Sequence, residues 1–248
     1  MQIERSNYID CDAMPDDCDI VQIKHDGHFA YIVVKGGVMK HYSRSGRLVR
    51  EKEVNVCDCV LLGEYMYGTE RAKGGSCHGD VMLFDCLQMG CADYRQQPYH
   101  VRADACLVLA ATNGSNLLYA PPMGIGLAAS FWGKYVEDGT HEGLIYRRST
   151  DTFPGDVYRH KAEFDVTLRV VGYTFSESER YGGLVKSIIG EAADGSRTLV
   201  GGLDDANREE LTCNQDRKMF HRFEATCNGR FSSGKLRHPR FKRWEGGE

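Results

Sequence analysis

The sequence predicts an α+β chain dominated by antiparallel strands and ending in an all-β barrel, and three observations predict it. Short runs rich in Val, Ile, Tyr and Phe at residues 19–23, 29–34, 38–42, 57–62 and 80–86 are bounded by Gly, Asp or Ser, with DG, GG and SG turn signals between them. Helical candidates are few. After about residue 168 the pattern becomes regularly spaced, reading TLRVVGYTF, GGLVKSIIGEA, RTLVGGL, RFEATCNGRF and LRHPRFKRW. Five short strands with a helix before the fourth fit a small barrel of OB type. The expected division is therefore 1–167 for the antiparallel sheets with their helices and 168–248 for the barrel.

The expected helices are residues 86–98 (CLQMGCADYRQQP), residues 124–136 around LAASFWGKYVE, and residues 204–211 (DDANREEL), the last with Asp204 or Asp205 as its N-cap. Neither an internal repeat nor a low-complexity linker interrupts the chain.

Composition sets the class. With 248 residues, 42% of them apolar, the chain can bury one large core or two small ones. No run of about 18 apolar residues is present to span a bilayer, and the opening MQIERSNYIDCDAMPDD is too acidic and polar for a signal peptide. A cytoplasmic protein is expected. The ten cysteines lack the density and spacing of a disulfide scaffold, which points to a reducing compartment. Cys57, Cys59, Cys77 and His78 form CxC and CH spacings that match no standard ligand pattern, so no zinc site is expected.

The net charge of −4 conceals an asymmetry. Between Arg217 and Arg243 nine cations face a single acid, Glu224, and Phe220, Phe223, Phe231 and Phe241 are interleaved with them. Aromatic residues at that density would hold the charges on a folded surface, and a phosphate-binding face is the functional reading.

Lys24 stands in DIVQIKHDGHFAYIVV, at the end of an apolar run and just before a DG turn. Alone it is a strand-end lysine facing solvent. The rest of the chain changes its weight. KHDG is followed by SRSG at residues 43–46, LLGEY with Glu64, VMLFDCL with Phe84 and Asp85, EGLIYRR with Glu142, YRHKAEFDVTLRVVG with Lys161, and GKLRHPRFKRW at residues 234–244. In this order and spacing the chain resembles the covalent nucleotidyltransferase superfamily over nearly its whole length, and its ending is similar to that of ATP-dependent DNA ligases.

The resemblance implies an ATP-grasp-like nucleotidyltransferase domain followed by an OB-fold domain, with the nucleotide between two sheets. It implies an enzyme that attacks the α-phosphate of ATP with the Lys24 amine, passes AMP to the 5′-phosphate of a nick and seals it, using Mg²⁺ or Mn²⁺. A nucleophilic amine must be neutral, and partial burial with cationic neighbours lowers its pKa. By the same carry-over Gln22, Ile23, Arg44, Glu64, Phe84, Glu142, Arg159 and Lys161 bind the nucleotide. Gln22 meets the adenine amino group, Phe84 stacks on the base, and Arg44 binds ribose or the nick 5′-phosphate. Glu64 and Glu142 take sugar and metal contacts, and Lys161 with Arg159 takes the α-phosphate. Arg44, Arg230, Lys235, Arg237 and Arg240 are the expected DNA contacts. The partner implied is nicked duplex DNA, bound by a monomer of minimal form, of the viral or accessory bacterial kind, acting at a nucleoid or viral replication site.

Two positions depart from the family pattern. Where it reads KxDGxR the sixth residue here is Phe29, and where it ends RxDK after the tryptophan this chain reads WEGGE. Other readings stay open on sequence grounds: an RNA ligase, a capping guanylyltransferase that would use GTP, or a degenerate member that binds nicks without catalysis.

Overall fold

A computed structural model of the chain describes residues 3–66, 80–112, 117–137, 141–230 and 235–246. The chain divides into two compact units, Met1–Lys161 and Ala162–Glu248. Residue 167, the expected boundary, lies within the strand Phe164–Phe175 that opens the second unit.

In the first unit the strands are β1 (Asn7–Cys11), β2 (Ile20–Lys24), β3 (His28–Lys35), β4 (Val38–Tyr42), β5 (Leu48–Glu53), β6 (Cys59–Tyr65), β7 (Val81–Met89), β8 (Ala92–Asp93), β9 (Leu117–Tyr119), β10 (Met123–Gly124), β11 (Gly143–Arg147) and β12 (Asp156–Lys161). They form two sheets. One runs β1-β12-β11-β2-β10, and the other runs β5-β4-β3-β6-β7-β8 with β9 parallel to β7.

Strand β3 explains why a continuous apolar run suits the second of these sheets. Its even-numbered residues Ala30, Ile32 and Val34 pack with Leu61, Leu83, Cys86, Cys106 and Leu109, whereas Tyr31, Phe29 and Val33 point the other way, toward Leu62, Leu87 and Phe153. A strand covered on both faces carries apolar residues at both phases of the period-two pattern. The first of these clusters rests on the helix Tyr99–Thr112.

That helix corrects the sequence expectation. Residues 86–98 are not helical: β7 continues to Met89, and Gly90, with φ of 59°, turns the chain into the hairpin partner β8. A left-handed glycine belongs to a tight hairpin rather than to a helix interior. The helix starts after Pro98, whose carbonyl accepts from the amides of Val101 and Arg102. Its buried residues Tyr99, Arg102, Ala103, Cys106 and Leu109 recur at helical spacing, a pattern present in YHVRADACLVLAAT all along. Around residues 124–136 the expected helix is present but irregular, a 3₁₀ turn at Ile125–Leu127, an α-turn at Ala128–Phe131 and a wide turn at Trp132–Val136.

In the second unit the strands are β13 (Phe164–Phe175), β14 (Val185–Glu191), β15 (Arg197–Val200), β16 (Arg222–Cys227) and β17 (Arg240–Trp244), ordered β15-β14-β13-β16-β17. All five fall on the expected segments. The two edges meet at Gly201, whose amide donates to the Pro239 carbonyl at 3.1 Å and whose carbonyl accepts from Phe241 at 2.8 Å. The helix Asp205–Cys213 precedes the fourth strand, capped by Asp204, which accepts from the Asn207 amide at 2.7 Å. Leu168, Val170, Ile188, Val200, Leu211, Phe223 and Ala225 fill the interior. Gly190 permits that packing, because a Cβ there would lie 2.9 Å from Leu168 and 3.0 Å from Phe223.

Candidate functional site

Strand register assembles the site in the first unit. Across the neighbouring strands β2, β11 and β12, Lys24 pairs with Gly143 and Gly143 with Lys161. One row further along, Gln22, Ile145 and Arg159 are aligned in the same way, and beyond Arg159 lies Asp10 of β1. Paired residues share a face of a sheet, so Gln22, Lys24, Arg159 and Lys161 lie on one surface although they come from strands more than 130 residues apart. Gly143 lies between the two lysines, and a Cβ there would sit 2.0 Å from the His160 carbonyl oxygen. Only glycine fits that row.

The cleft above this surface is lined by Gln22, Ile23, Lys24, Arg44, Glu64, Phe84 and Arg159 among the expected residues, together with Tyr8, His25, Phe29, Met82 and Arg147. Glu142 reaches the site through Lys24: its carboxylate accepts a hydrogen bond from the ammonium, and the two side chains are only 8% and 13% exposed. Lys161 lies 3.6 Å from Asp10, which also holds Arg159 at 3.0 Å. One acid thus orients both cations.

Glu64 is the electrostatically unsettled group. Burial pushes its carboxyl up to about 7, opposed by the nearby Lys24 charge and reinforced by Glu142. It accepts a single hydrogen bond from the Gly27 amide at 3.2 Å. Gly27 is required for that approach, since a Cβ would stand 2.9 Å from the Met66 sulfur and 3.0 Å from the Tyr65 carbonyl. A carboxyl whose folded pKa is raised favours the native state below its unfolded value of 4.5 and loses that contribution as pH rises toward 7. Glu64→Gln is therefore expected to gain stability over the parent at pH 8, on the order of 2 to 3 kcal/mol, with the difference vanishing by pH 4. Urea unfolding at pH 4, 6 and 8 measures it, and a gap independent of pH would contradict this assignment.

The floor of the cleft is a buried polar network. The Gln22 side-chain amide donates to the Ala120 carbonyl at 2.7 Å, and its oxygen accepts from the Tyr99 hydroxyl at 2.8 Å. One amide hydrogen and one oxygen lone pair remain on Gln22. Arg147 stacks over Tyr99 at 4.5 Å and lies 3.6 Å from Asp85. Asp85 itself accepts two bonds from Arg102, at 2.7 and 3.2 Å. Burial together with the charges of His141 and Lys24 pulls His25 down to about 4, so its ring, edge-on to that of His141 at 5.5 Å, is neutral.

No family model matches the sequence, and neither does any curated protein. Solved structures do. A Lig E DNA ligase, described as binding DNA with a minimal scaffold, aligns at a TM-score of 0.67 with 14% identity over 98% of this chain and 100% of its own. Pmar-Lig_Pre aligns at 0.68 with 17% identity, over 99% of this chain and 68% of its own. A mycobacterial DNA ligase D complexed with ATP aligns at 0.53 with 15% identity, over 98% and 96%. The chain has the fold of these DNA ligases.

Within this ligase fold the sequence reading missed several cleft residues. Tyr8 carries no motif of its own and neither does Tyr99 of the polar floor, whereas His25 stands inside KHDG and Arg147 is the first arginine of EGLIYRR, so both could have been read from those segments. Asp10 was likewise invisible, because its role depends on the parallel pairing of β1 with β12.

The basic end of the second unit differs from its linear reading. Arg240 bonds Glu163 and Asn228, Lys242 bonds Asp165, Arg243 makes two bonds to Glu224, Arg222 pairs with Glu245 at 3.0 Å, and Lys218 lies 3.5 Å from Glu210. Arg237, expected to contact DNA, is only 1% exposed and belongs to the packed interior. Arg217, Arg230 and Lys235 are exposed, with Arg230 over the Phe164 ring at 5.6 Å. Phe231 lies outside the described residues. The final glutamate of the tail seen here, Glu245, is tied to the strand edge, accepting from Thr167 at 3.0 Å as well as pairing with Arg222.

No group of three or more His, Cys, Asp or Glu side chains that could hold a metal occurs among the described residues, and Cys77 and His78 lie outside them. No described helix is long and apolar enough to cross a membrane.

Proposed function

We propose that this chain is an ATP-dependent DNA ligase that seals nicks in duplex DNA, acting as a monomer through a lysyl-AMP on Lys24 and a 5′-adenylated DNA intermediate. In this reading the first unit is the nucleotidyltransferase domain and the second an OB-fold domain. The observation that carries it is the Lys24 amine, ion-paired to Glu142 on a cleft surface that also presents Arg159 and Lys161, in a chain with the fold of DNA ligases.

The residues support each part of the chemistry. Phe84 offers a ring face and Gln22 its remaining donor and acceptor to adenine. Arg159 and Lys161, pre-oriented by Asp10, stabilise the α-phosphate oxygens as charge builds on them. Glu142 is in hydrogen-bond contact with the Lys24 ammonium and is the acceptor for the proton the amine must lose. The amine then forms a bond to the α-phosphorus while the bond to the bridging oxygen breaks, and pyrophosphate leaves with that electron pair. In the second step the 5′-phosphate displaces Lys24, and in the third a 3′-hydroxyl displaces AMP.

Glu64 and Glu142 would hold Mg²⁺ or Mn²⁺. Two carboxylates with water and substrate phosphates are a donor set that Mg²⁺ takes. Bound there, the ion would neutralise charge on the phosphate oxygens.

Incubation with ATP and Mg²⁺ should add one AMP to Lys24 as an acid-labile, base-stable phosphoramidate. An adduct from GTP with none from ATP would replace this reading with capping, and no adduct from either would leave a nick-binding module. For DNA contact, neutralising the exposed Lys235 should lower the salt slope of nicked-duplex binding by about one unit. Removing Lys242, already bonded to Asp165, should lower it less. Equal effects would assign the paired cations to DNA as well.

A further inference from the structure

The turn that leads into β16 has a backbone its sequence does not favour. Met219, with φ of −59° and ψ of 133°, and Phe220, with φ of 65°, are the central residues of a turn closed by the His221 amide on the Lys218 carbonyl at 3.1 Å. Those angles describe a type II turn, whose third position takes glycine or asparagine because a Cβ is strained at positive φ. Here that position holds a phenylalanine. Its side chain is 64% exposed, so burial does not offset the strain. The turn is pinned to β13, where the Phe220 amide donates to the Val170 carbonyl at 3.0 Å and the Val170 amide to the His221 carbonyl at 2.9 Å. The ring is thus held outside the barrel core, and strained positions that packing does not explain point to a side chain presented for function.

The face beside the ring shows what it is presented to. Leu168, Val170 and Phe223 point into the barrel, so Arg169 and Arg222 point outward. Strand register aligns Arg197, Glu191, Arg169 and Arg222 in one row across β15, β14, β13 and β16. Glu245 pairs with Arg222 at the end of that row, which leaves three guanidinium groups to two carboxylates. Arg169 lies 5.8 Å from the centroid of the Phe220 ring and also lines a concavity with Thr167, Ala192, Gly195 and Arg222. The adjacent row is apolar: Leu199, 57% exposed, pairs with Ile189, whose side chain would stand 3.2 Å from a Cβ on Gly172. A protruding ring flanked by guanidinium groups and an apolar strip matches an unpaired nucleotide, whose base stacks on aromatic and guanidinium planes. A phosphate alone would leave the ring unused, and an intact duplex keeps its base faces stacked on one another.

We propose that Phe220 is a base-stacking residue that, with Arg169 and Arg222, takes an unpaired nucleobase from a frayed, gapped or single-stranded stretch of DNA. The inference rests on the ligase reading for why DNA comes to this unit, and it extends that reading from duplex to unpaired bases. Phe220 lies outside every segment that carries the motif resemblance and outside the expected DNA contacts.

The test compares a labelled oligo(dT) strand with a strand of the same length built from abasic sites, which keeps the phosphates and removes the bases. Wild-type protein should bind oligo(dT) more tightly, and Phe220→Gly in the full chain should reduce that ratio by about tenfold while the abasic strand binds as before. Because glycine suits the turn, Phe220→Gly should also move the urea midpoint upward, which separates loss of a stacking face from loss of structure. Phe220→Trp should keep the preference, and its added fluorescence should be quenched by oligo(dT) and not by the abasic strand. A ratio unmoved in Phe220→Gly, or a Phe220→Trp signal indifferent to the bases, would overturn the proposal. So would a lowered urea midpoint in Phe220→Gly, which would make the ring part of the structure. Failure of the ligase reading is separable: wild-type protein would then form no lysyl-AMP from ATP in the absence of DNA, while the base preference and its loss in Phe220→Gly would still be read on oligo(dT).

Discussion

Lys24→Ala should abolish self-adenylation, with lysyl-AMP falling below detection, while sealing of a nick that already carries 5′-AMP continues at close to the wild-type rate. The amine is the nucleophile only in the first step; once AMP sits on the DNA, no bond to Lys24 is made or broken. The substitution also frees Glu142 from its ion pair, so the variant carries a buried carboxylate without its partner. Lys24→Arg therefore belongs beside it, since arginine keeps the pairing charge but stays protonated and cannot attack. Both variants should fail at adenylation, and both should seal the pre-adenylated substrate. Single-turnover kinetics on ATP and on 5′-adenylated nicks measures the two steps apart. A residual lysyl-AMP signal in either variant would place the nucleophile elsewhere.

Asp85→Ala should lower the unfolding free energy by about 3 to 5 kcal/mol, the largest stability effect expected in the molecule. Asp85 is fully buried and accepts two bonds from Arg102, which is 1% exposed, with Arg147 a further 3.6 Å away. Arg102 also donates to the carbonyls of Gln97 and Asp151 at 2.7 and 2.8 Å, so the guanidinium ties the helix Tyr99–Thr112 to β7 and to a loop beyond β11. Removal of the acid leaves two buried cations facing each other without a counter-charge. The loss should also reach the cleft, because Phe84 precedes Asp85 and Arg147 lies 5.8 Å from its ring. Urea denaturation gives the stability, and the KM for ATP gives the effect on the cleft. Removal of the exposed Arg243 from its pair with Glu224 should change stability far less, since water screens such pairs. Comparable losses in the two variants would show that the Asp85 network is not the structural centre described here.

Much of the fold was legible because it depends on neighbours in sequence. Strands β2, β3, β4 and β6 and all five strands of the second unit sit on their expected segments, since alternating apolar residues and Gly-containing turns act over a few residues. The N-cap at Asp204 was readable for the same reason. The helix at Tyr99–Thr112 was not assigned, and the hairpin at Gly90 was read as helix. In that stretch the deciding facts were one glycine at positive φ and a face covered by β7, and composition reports neither.

The sequence by itself determined the order of the elements and the residues of the KHDG, SRSG, LLGEY and EGLIYRR segments, hence which side chains were available for chemistry. Tertiary structure decided which of them meet. It put Gly143 between Lys24 and Lys161 and set Asp10 against Arg159. It also paired cations of the basic end with acids distant in sequence, Arg240 with Glu163 and Lys242 with Asp165, each 77 positions away, and buried Arg237. The physical reason is that turns and periodicity are short-range properties of the chain, whereas charges pair and side chains are buried according to distance in space, which strand pairing sets only once the sheets have formed.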